Sequence, residues 1–294
     1  MKQFTRATLV AAGLLALSAC GGGGSDGGGG STVPPPSATK TINTSNYLDA
    51  AWAGAIGFVR INLAAESADA AFRTALAAGD PASGSFPCQN SGNFAYARSG
   101  ATRTITFNNC AFTSQGLPIQ FAAGTVSTSD AVLGTFGSAA VFNSGSFTYS
   151  GVSLNWGAGL ETVAGALAQV RQTNGSLNAT GTLTVTRNGR PDQYTNISLR
   201  TNVPNAAGAV IVLNAAASVS SPRLAFGFNA EGTETLTRSV AADNSAVQAT
   251  PDATGQTLTY AVFANYSPGA TPEFTRALAS SDAAVQAAIQ RVLQ

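Results

Sequence analysis

The chain has 294 residues, of which 10% are charged, with 15 Lys and Arg against 14 Asp and Glu and a net charge of +1. This balance excludes the basic surface that nucleic-acid binding needs and provides no polybasic segment for anionic lipid. No histidine is present, which excludes Ser-His-Asp and Cys-His catalysis as they are normally built, and histidine-ligated metals. Chemistry that uses carboxylates alone stays open, and no cofactor is expected.

The first 20 residues have the features of an export signal that ends at a cysteine. Lys2 and Arg6 precede an apolar run over residues 7–17, which is shorter than the roughly 20 residues that span a bilayer but suits a signal peptide. The next positions resemble the lipobox of bacterial lipoproteins, with Leu17, Ser18, Ala19 and Cys20. The resemblance implies that residues 1–19 are a signal peptide and that Cys20 carries a thioether-linked diacylglycerol. The alternative is a secreted protein with a chance cysteine.

The resemblance also implies where the protein is held. In lipoproteins of this kind, Asp after the lipidated cysteine retains the protein in the inner membrane, whereas here Gly21 follows Cys20. We therefore expect a lipid anchor in the outer membrane of the cell envelope, on either its periplasmic or its surface face. The membrane, reached through the lipid on Cys20, is the first expected partner; an envelope protein or a hydrophobic ligand is the second.

Residues 20–40 are predicted to form the lipidated cysteine and a tether, and residues 41–294 a single β-rich domain. The tether is rich in Gly and Ser and ends in Pro34, Pro35 and Pro36. Chains of this composition are flexible, and 20 such residues have a root-mean-square span of about 25 Å. Its glycines do not indicate nucleotide binding, because no strand precedes them and no helix follows.

The domain is predicted to open with a helix. Its apolar residues fall on one stripe, formed by Leu48, Trp52, Ala55, Ile56, Val59 and Leu63. Asn46 is the expected N-cap and Asp49 lies in the first turn, near the positive end of the helix dipole. Residues 66–78 are a second helix or a continuation, ended by Gly79. We expect this helix to pack on a sheet rather than to lie on lipid, because its polar face lacks lysine.

Cys88 and Cys110 are predicted to form a disulfide within a β-hairpin. A three-residue loop centred on Ser99, with Gly100 in the left-handed conformation, would place the two cysteines opposite each other. In an oxidising compartment they would be bonded. A structural role is favoured over a redox role, because redox-active cysteines are more often spaced C-x-x-C.

A second hairpin is predicted with its turn at Asn188 and Gly189, a pair typical of type I′ turns. This register places Leu183 opposite Tyr194. The apolar residues beyond Tyr194 change parity, which predicts a β-bulge near residues 195–196 or burial on both faces.

The chain is predicted to close with a helix. Thr271 would cap it, Pro272 and Glu273 suit its first turn, and Phe274 and Leu278 would begin its apolar face. After Asp282 the helix continues or restarts, with apolar residues Val285, Ala288, Ile289 and Val292. The predicted fold is therefore mainly β with some α: a curved antiparallel sheet or open β-barrel-like domain with N-terminal and C-terminal amphipathic helices packed on it.

Two sets of side chains are candidates for chemistry or binding. The first is acidic, and we expect solvated or turn-capping roles for its members, Asp130, Glu161, Asp192, Glu231, Glu234 and Asp243. The second is aromatic and is expected to be core more often than a sugar- or lipid-binding surface; it comprises Trp52, Tyr96, Tyr149, Trp156, Tyr194, Tyr260 and Tyr266.

Three functions remain open from the sequence. The first is a non-enzymatic envelope lipoprotein that binds a partner or stabilises an assembly. The second is a carrier of lipid or another hydrophobic ligand, whose curved sheet would loosely resemble periplasmic lipoprotein-sorting proteins in architecture only. The third, a carboxylate-dependent glycan hydrolase, is the least favoured because no catalytic motif is present.

Overall fold

A computed structural model describes residues 41–114, 117–172, 176–201, 212–221, 224, 226–233 and 236–294. The predicted signal peptide, Cys20 and the tether lie outside the described residues, so those predictions stay predictions.

The domain is built on one antiparallel sheet of fifteen strands. The strands follow one another in space as they do in the chain, except that β5 pairs with β6 alongside β4. The sheet is not closed into a barrel, and β1 and β15 are its outer strands in the part of the chain described. The mainly β class with terminal helices is thus confirmed. The strands are β1 Ser83–Pro87, β2 Ser91–Ser99, β3 Thr102–Ser114, β4 Leu117–Thr128, β5 Val132–Phe136, β6 Ala139–Asn155, β7 Leu160–Arg171, β8 Leu177–Arg187, β9 Arg190–Thr201, β10 Val212–Ser221, β11 Phe226–Thr233, β12 Leu236–Ala241, β13 Ala246–Pro251, β14 Thr257–Phe263 and β15 Phe274–Ala279.

The strands alternate large apolar residues with small polar ones. In β6, Phe147 and Tyr149 are buried, whereas Thr148 and Ser150 between and after them are exposed. Because successive side chains of a strand point to opposite faces, this alternation gives the sheet an apolar face and a polar face. The apolar face is covered by the N-terminal helix.

That helix, α1, is a single element over Tyr47–Ala77, 31 residues long, so the two predicted stretches are continuous. At about 1.5 Å per residue it is about 46 Å long. Gly79 follows the last helical residues and has φ +90°. Its N–H donates to the carbonyl of Leu76, and the N–H of Asp80 donates to the carbonyl of Ala75. These two hydrogen bonds form a Schellman motif, which only a residue with positive φ completes easily.

Asn46 occupies the predicted N-cap position, but its side chain does not cap the helix. The amide oxygen accepts a hydrogen bond from the N–H of Asn43 at 2.9 Å, and the amide nitrogen donates to the carbonyl of Thr41 at 3.0 Å. Asn46 therefore stabilises the turn before the helix rather than the first helical turn.

The prediction of one apolar stripe on α1 underestimates its burial. Residues 50–57 and 60–65 are all buried, because strands from β1 to β13 surround the helix on several sides. Side chains of the sheet even bond to the helix backbone: the hydroxyl of Ser239 in β12 donates to the carbonyl of Ala50, and that of Tyr149 in β6 donates to Ala64. The helix thus occupies the concave face of the sheet.

The C-terminal helix, α2, spans Ala283–Leu293 and begins later than predicted. Phe274 and its neighbours form β15 instead, and the N–H of Glu273 donates to the carbonyl of Val262 in β14. Pairing with β15 provides hydrogen-bond partners for the backbone groups at the edge of β14. These hydrogen bonds stabilise a strand here more than the cap-like residues 271–273 would stabilise a helix. Asp282 is the N-cap, accepting from the N–H of Ala284 at 2.8 Å, so the predicted restart is confirmed.

The two cysteines meet, but not in the predicted register. β2 and β3 pair Ser99 with Thr102, which leaves a two-residue turn that contains Gly100 rather than a loop centred on Ser99. Cys88 therefore lies in the turn between β1 and β2, and from there it reaches Cys110 in β3, with a Cα–Cα distance of 5.4 Å. The pair is at disulfide distance.

The second predicted hairpin is confirmed. Leu183 lies opposite Tyr194, whereas Gly181 lies opposite Ile197, so β9 carries one extra residue between these pairs. Asn196 within this bulge has φ +51°. The change of parity in the sequence is resolved by a β-bulge at the predicted place.

Candidate functional site: a buried charge cluster

The midpoint of α1 carries an arginine that is enclosed by the protein. Arg60 is 1% exposed and follows the apolar residues Phe58 and Val59 in the sequence. It reaches acidic side chains on two strands, Glu161 of β7 and Asp192 of β9. A charge this deeply buried requires charged or hydrogen-bonding partners to offset its lost hydration.

Glu161 is the main partner of Arg60. The guanidinium Nε lies 3.1 Å from each carboxylate oxygen, and Nη2 forms a further close contact with Oε1. The indole Nε1 of Trp156 donates to Oε2 at 2.9 Å, and Nη1 of Arg187 lies 3.9 Å from Oε1. Both oxygens of this fully buried carboxylate are therefore engaged.

The remaining side of the guanidinium faces β9. Nη1 of Arg60 donates to Oδ2 of Asp192 and to the hydroxyl oxygen of Tyr194, each at 2.8 Å. We refer to Arg60, Trp156, Glu161, Arg187, Asp192 and Tyr194 as the Arg60 cluster. Its two arginines and two acids balance in charge, so the cluster adds little net charge to the interior.

Burial and charge act together on the titration of the cluster. Burial by itself would lower the pKa of Arg60, but Tyr194 and the carboxylate of Glu161 raise that pKa well above its usual value. Burial raises the pKa of Tyr194 to about 12, against a lowering effect of Arg60. Across the physiological range the guanidinium is therefore charged and the phenol neutral.

The arrangement holds α1 against the sheet. Arg60 belongs to the helix, whereas its partners Glu161, Asp192 and Tyr194 belong to β7 and β9. Moving the helix by one turn, about 5.4 Å, would break every one of these contacts and leave charges buried without partners. The cluster consequently specifies one position of the helix within the sheet.

The expectation that Glu161 and Asp192 are solvated or cap turns is wrong. Glu161 is 1% exposed and Asp192 is 3% exposed, and both bind the same arginine. Their separations from Arg60, 101 and 132 residues, leave no local pattern to detect. The one available signal is Arg60 itself, a charge placed among apolar residues of a helix.

The other acidic candidates have local roles. Asp243 accepts from the N–H of Ser245 in its own turn, which fits the expected turn-capping role. Asp130 instead accepts from the N–H of Ser146 in β6. Glu231 pairs with Arg238. Glu234 lies outside the described residues.

The aromatic candidates belong to the interior, as expected. Trp52 donates to the hydroxyl of Tyr260 at 3.1 Å, inside the core. Tyr266 alone among the candidates is half-buried, and Arg238 lies over its ring, 4.6 Å from the centroid. The buried members are Trp52, Tyr96, Tyr149, Trp156, Tyr194 and Tyr260.

A second group of charges lies where α1 ends. Arg103 of β3 donates to both oxygens of Asp80, at 3.1 and 2.7 Å, and the hydroxyl of Tyr96 donates to the same carboxylate. Partial burial would raise the pKa of Asp80, but the hydrogen bonds from Arg103 and Tyr96 lower it overall. This group fixes the C-terminal end of the helix to β2 and β3.

Two further ion pairs in the described part of the chain join α1 to other elements. Nη2 of Arg171 in β7 lies 2.6 Å from Oδ1 of Asp69, and Nη2 of Arg291 in α2 lies 2.7 Å from Oδ1 of Asp49. Charged contacts thus connect α1 to its surroundings near its start, at its midpoint, in its second half and just beyond its end.

In the described part of the chain, no group of three or more His, Cys, Asp or Glu side chains is placed to hold a metal ion. Neither helix described above is both long and apolar enough to cross a bilayer. No protein family, curated protein or solved structure matches the chain.

Proposed function

We propose that this chain is a non-enzymatic lipoprotein of the cell envelope, anchored to the outer membrane through lipid on Cys20. Residues 41–294 are a rigid module that binds an envelope partner or stabilises an assembly. The single observation that supports this function best is that α1 fills the concave face of the sheet and is fixed there by the Arg60 cluster.

The close packing of α1 favours a rigid module over a carrier. A carrier of hydrophobic ligands needs an apolar cavity of several hundred Å³, and in a curved sheet the concave face is where such a cavity would lie. Here, a Cβ added to Gly57 would come 2.7 Å from the ring of Tyr194, and one added to Gly54 would come 2.9 Å from the hydroxyl of Ser239. Helix and sheet are in direct contact at these points.

The carrier remains the second candidate, with α1 as a plug that moves aside for a ligand. Such a movement would separate Arg60 from Glu161 and Asp192, and removing one partner from a buried ion pair costs about 3–5 kcal/mol. The charges therefore oppose the motion that the carrier requires.

The hydrolase is favoured least. A glycosidase uses two carboxyl groups that flank a substrate in an open cleft. Glu161 and Asp192 are the carboxyl groups that the fold brings together, and both are buried and ion-paired to Arg60.

The anchor is tested by Cys20→Ala. In the native host, the unaltered protein should incorporate a clickable fatty acid and sediment with outer membranes, whereas C20A should lose both properties. Gly21→Asp is the matched control, because it keeps the lipidated cysteine and should retain labelling while shifting the protein toward the inner membrane. Labelling and sedimentation that persist in C20A would disprove the lipid anchor.

The choice between module and carrier is tested on the same material. Protein extracted in mild detergent should carry covalent acyl chains but no stoichiometric free lipid by mass spectrometry. One or more lipids recovered per protein, and displaced by a competing fatty acid, would favour the carrier.

A further inference from the structure

The chain enters the folded domain at a fixed point. Ile42 is 1% exposed, and its N–H donates to the hydroxyl of Ser245 at 2.7 Å. The hydroxyl of Thr41 donates to Asp243 at 2.6 Å. Residues 41 and 42 are therefore attached to the turn between β12 and β13, and whatever precedes them leaves the domain there.

This turn lies at one end of the sheet. Because the strands are antiparallel and adjacent in chain order, alternate turns share an end. We call the end of the sheet that binds Thr41 the proximal end and the opposite end the distal end. The turns at the proximal end are residues 88–90, 156–159, 188–189 and 242–245. The distal end comprises residues 100–101, 137–138 and 252–256.

From this placement we infer that the lipid anchor holds the domain with its proximal end toward the bilayer and the β5–β6 hairpin away from it. The inference rests on the proposed anchor at Cys20. The predicted tether spans about 25 Å, which is shorter than the domain measured along its strands, since β7, which runs from the proximal to the distal end, has 12 residues and is about 40 Å long. The tether is thus too short on average to let the two ends exchange places freely next to a surface.

Excluded volume acts in the same direction. The domain cannot enter the bilayer, so whenever the tether is compact and residue 41 lies near the surface, only orientations that carry the distal end outward are allowed. If residue 41 lay at the surface and all of these orientations were equally populated, the distal end would lie higher than the proximal end by about half the strand length, roughly 20 Å; the tether makes the average difference smaller.

The orientation determines what two of the exposed apolar side chains face; a third, Leu160, is 58% exposed and begins β7 at the proximal end. Val132 of β5 is 56% exposed and Val170 of β7 is 48% exposed. Both pair with Ser144 of β6, so they share one level of the sheet near the distal end. These side chains consequently face the space beyond the membrane surface rather than the bilayer that holds the anchor.

The experiment measures the height of each end above the membrane. Arg190, beside the proximal turn at 188–189, and Ser138, at the tip of the β5–β6 hairpin, are both exposed. Each is replaced in turn by a clickable amino acid that carries a donor dye, which leaves the cysteines untouched. The full lipidated protein is reconstituted in phosphatidylethanolamine–phosphatidylglycerol vesicles with an acceptor dye on the headgroups.

We expect greater energy transfer from position 190 than from position 138, corresponding to an average distance that is shorter by up to roughly 20 Å. Equal transfer from the two positions, or greater transfer from position 138, would overturn the inferred orientation. Cys20→Ala separates the two hypotheses. Loss of transfer at both positions in C20A supports the anchor on which the orientation depends, whereas transfer that survives C20A refutes the anchor itself, whichever label gives the stronger signal.

Discussion

Replacing Arg60 with methionine should strongly destabilise the protein. Methionine keeps much of the length and volume of the arginine stem, so little packing is lost. The carboxylates of Glu161 and Asp192, however, lose their shared partner while both remain buried. The expected effect therefore comes from uncompensated charge rather than from a cavity.

The magnitude follows from the burial of the cluster. Breaking a buried ion pair by removing one partner costs about 3–5 kcal/mol. We expect the upper part of this range, because two carboxylates are affected and, among the described residues, Glu161 would keep Trp156 and the more distant Arg187 as its partners. With a urea m-value of about 3 kcal/mol/M for a domain of this size, the unfolding midpoint should fall by about 1.3–1.7 M.

The assay is urea unfolding of the lipid-free domain, followed by the fluorescence of Trp52 and Trp156, which are both buried. Arg291→Met is the matched control. Arg291 also forms an ion pair, with Asp49, but its side chain is 53% exposed, so the loss should stay below about 1 kcal/mol.

A third variant separates charge from shape. Combining Arg60→Met with Glu161→Gln and Asp192→Asn removes the unpaired charges, and the amide oxygen introduced at position 161 would still accept the indole N–H of Trp156. This triple variant should regain much of the lost stability. The reasoning fails if R60M costs no more than R291M, or if the triple variant is less stable than R60M alone.

Two further predictions concern the end of α1 and its packing. Asp80→Asn keeps a residue type that tolerates the positive φ at this position but removes the charge that Arg103 binds. Because the pKa of Asp80 is lowered in the folded state, its contribution is present above its unfolded value of about 3.9 and is lost as the pH falls through the folded value. In thermal or urea unfolding, D80N should therefore be less stable than the unaltered protein by about 1–2 kcal/mol at pH 7. This difference in the free energy of unfolding should become smaller below about pH 4, and a difference that stayed constant would contradict the role given to Asp80. Gly57→Ala should destabilise the protein by about 1–3 kcal/mol, although alanine has the better helix propensity, because the added Cβ would meet the ring of Tyr194. The control Thr74→Ala, at an exposed position of the same helix, should be neutral or slightly stabilising. Equal effects of the two substitutions would show that the helix is not in close contact with the sheet at Gly57.

The features that could be predicted from the sequence are those with local causes. The Asn188-Gly189 turn sets the register of β8 and β9, which places Leu183 opposite Tyr194. Beyond Tyr194 the apolar residues change from one face of the strand to the other, and this change predicts the bulge. The first half of α1 is likewise predicted by the sequence, because its large apolar residues recur every three or four positions, the repeat of an α-helix.

The features that were missed depend on contacts between distant elements. The sequence around Gly100 is compatible with both a two-residue and a three-residue turn, and the register is decided by the rest of the sheet. Residues 271–279 contain a helix-cap pattern, yet the open edge of β14 makes them a strand. The Arg60 cluster joins residues from α1, β7, β8, β9 and the turn before β7, and no spacing rule connects them.

The enclosure of α1 has a consequence for how the chain folds. The helix precedes all fifteen strands, and its neighbours extend as far as Arg291, near the last residue. While the chain emerges from a membrane or ribosome, an apolar helix of 31 residues is complete before any of its covering exists. Contacts of such long sequence separation form slowly and expose apolar surface in the meantime. Folding is therefore completed only after the last strands and α2 have been added, and until then the apolar surface of the helix is open to aggregation.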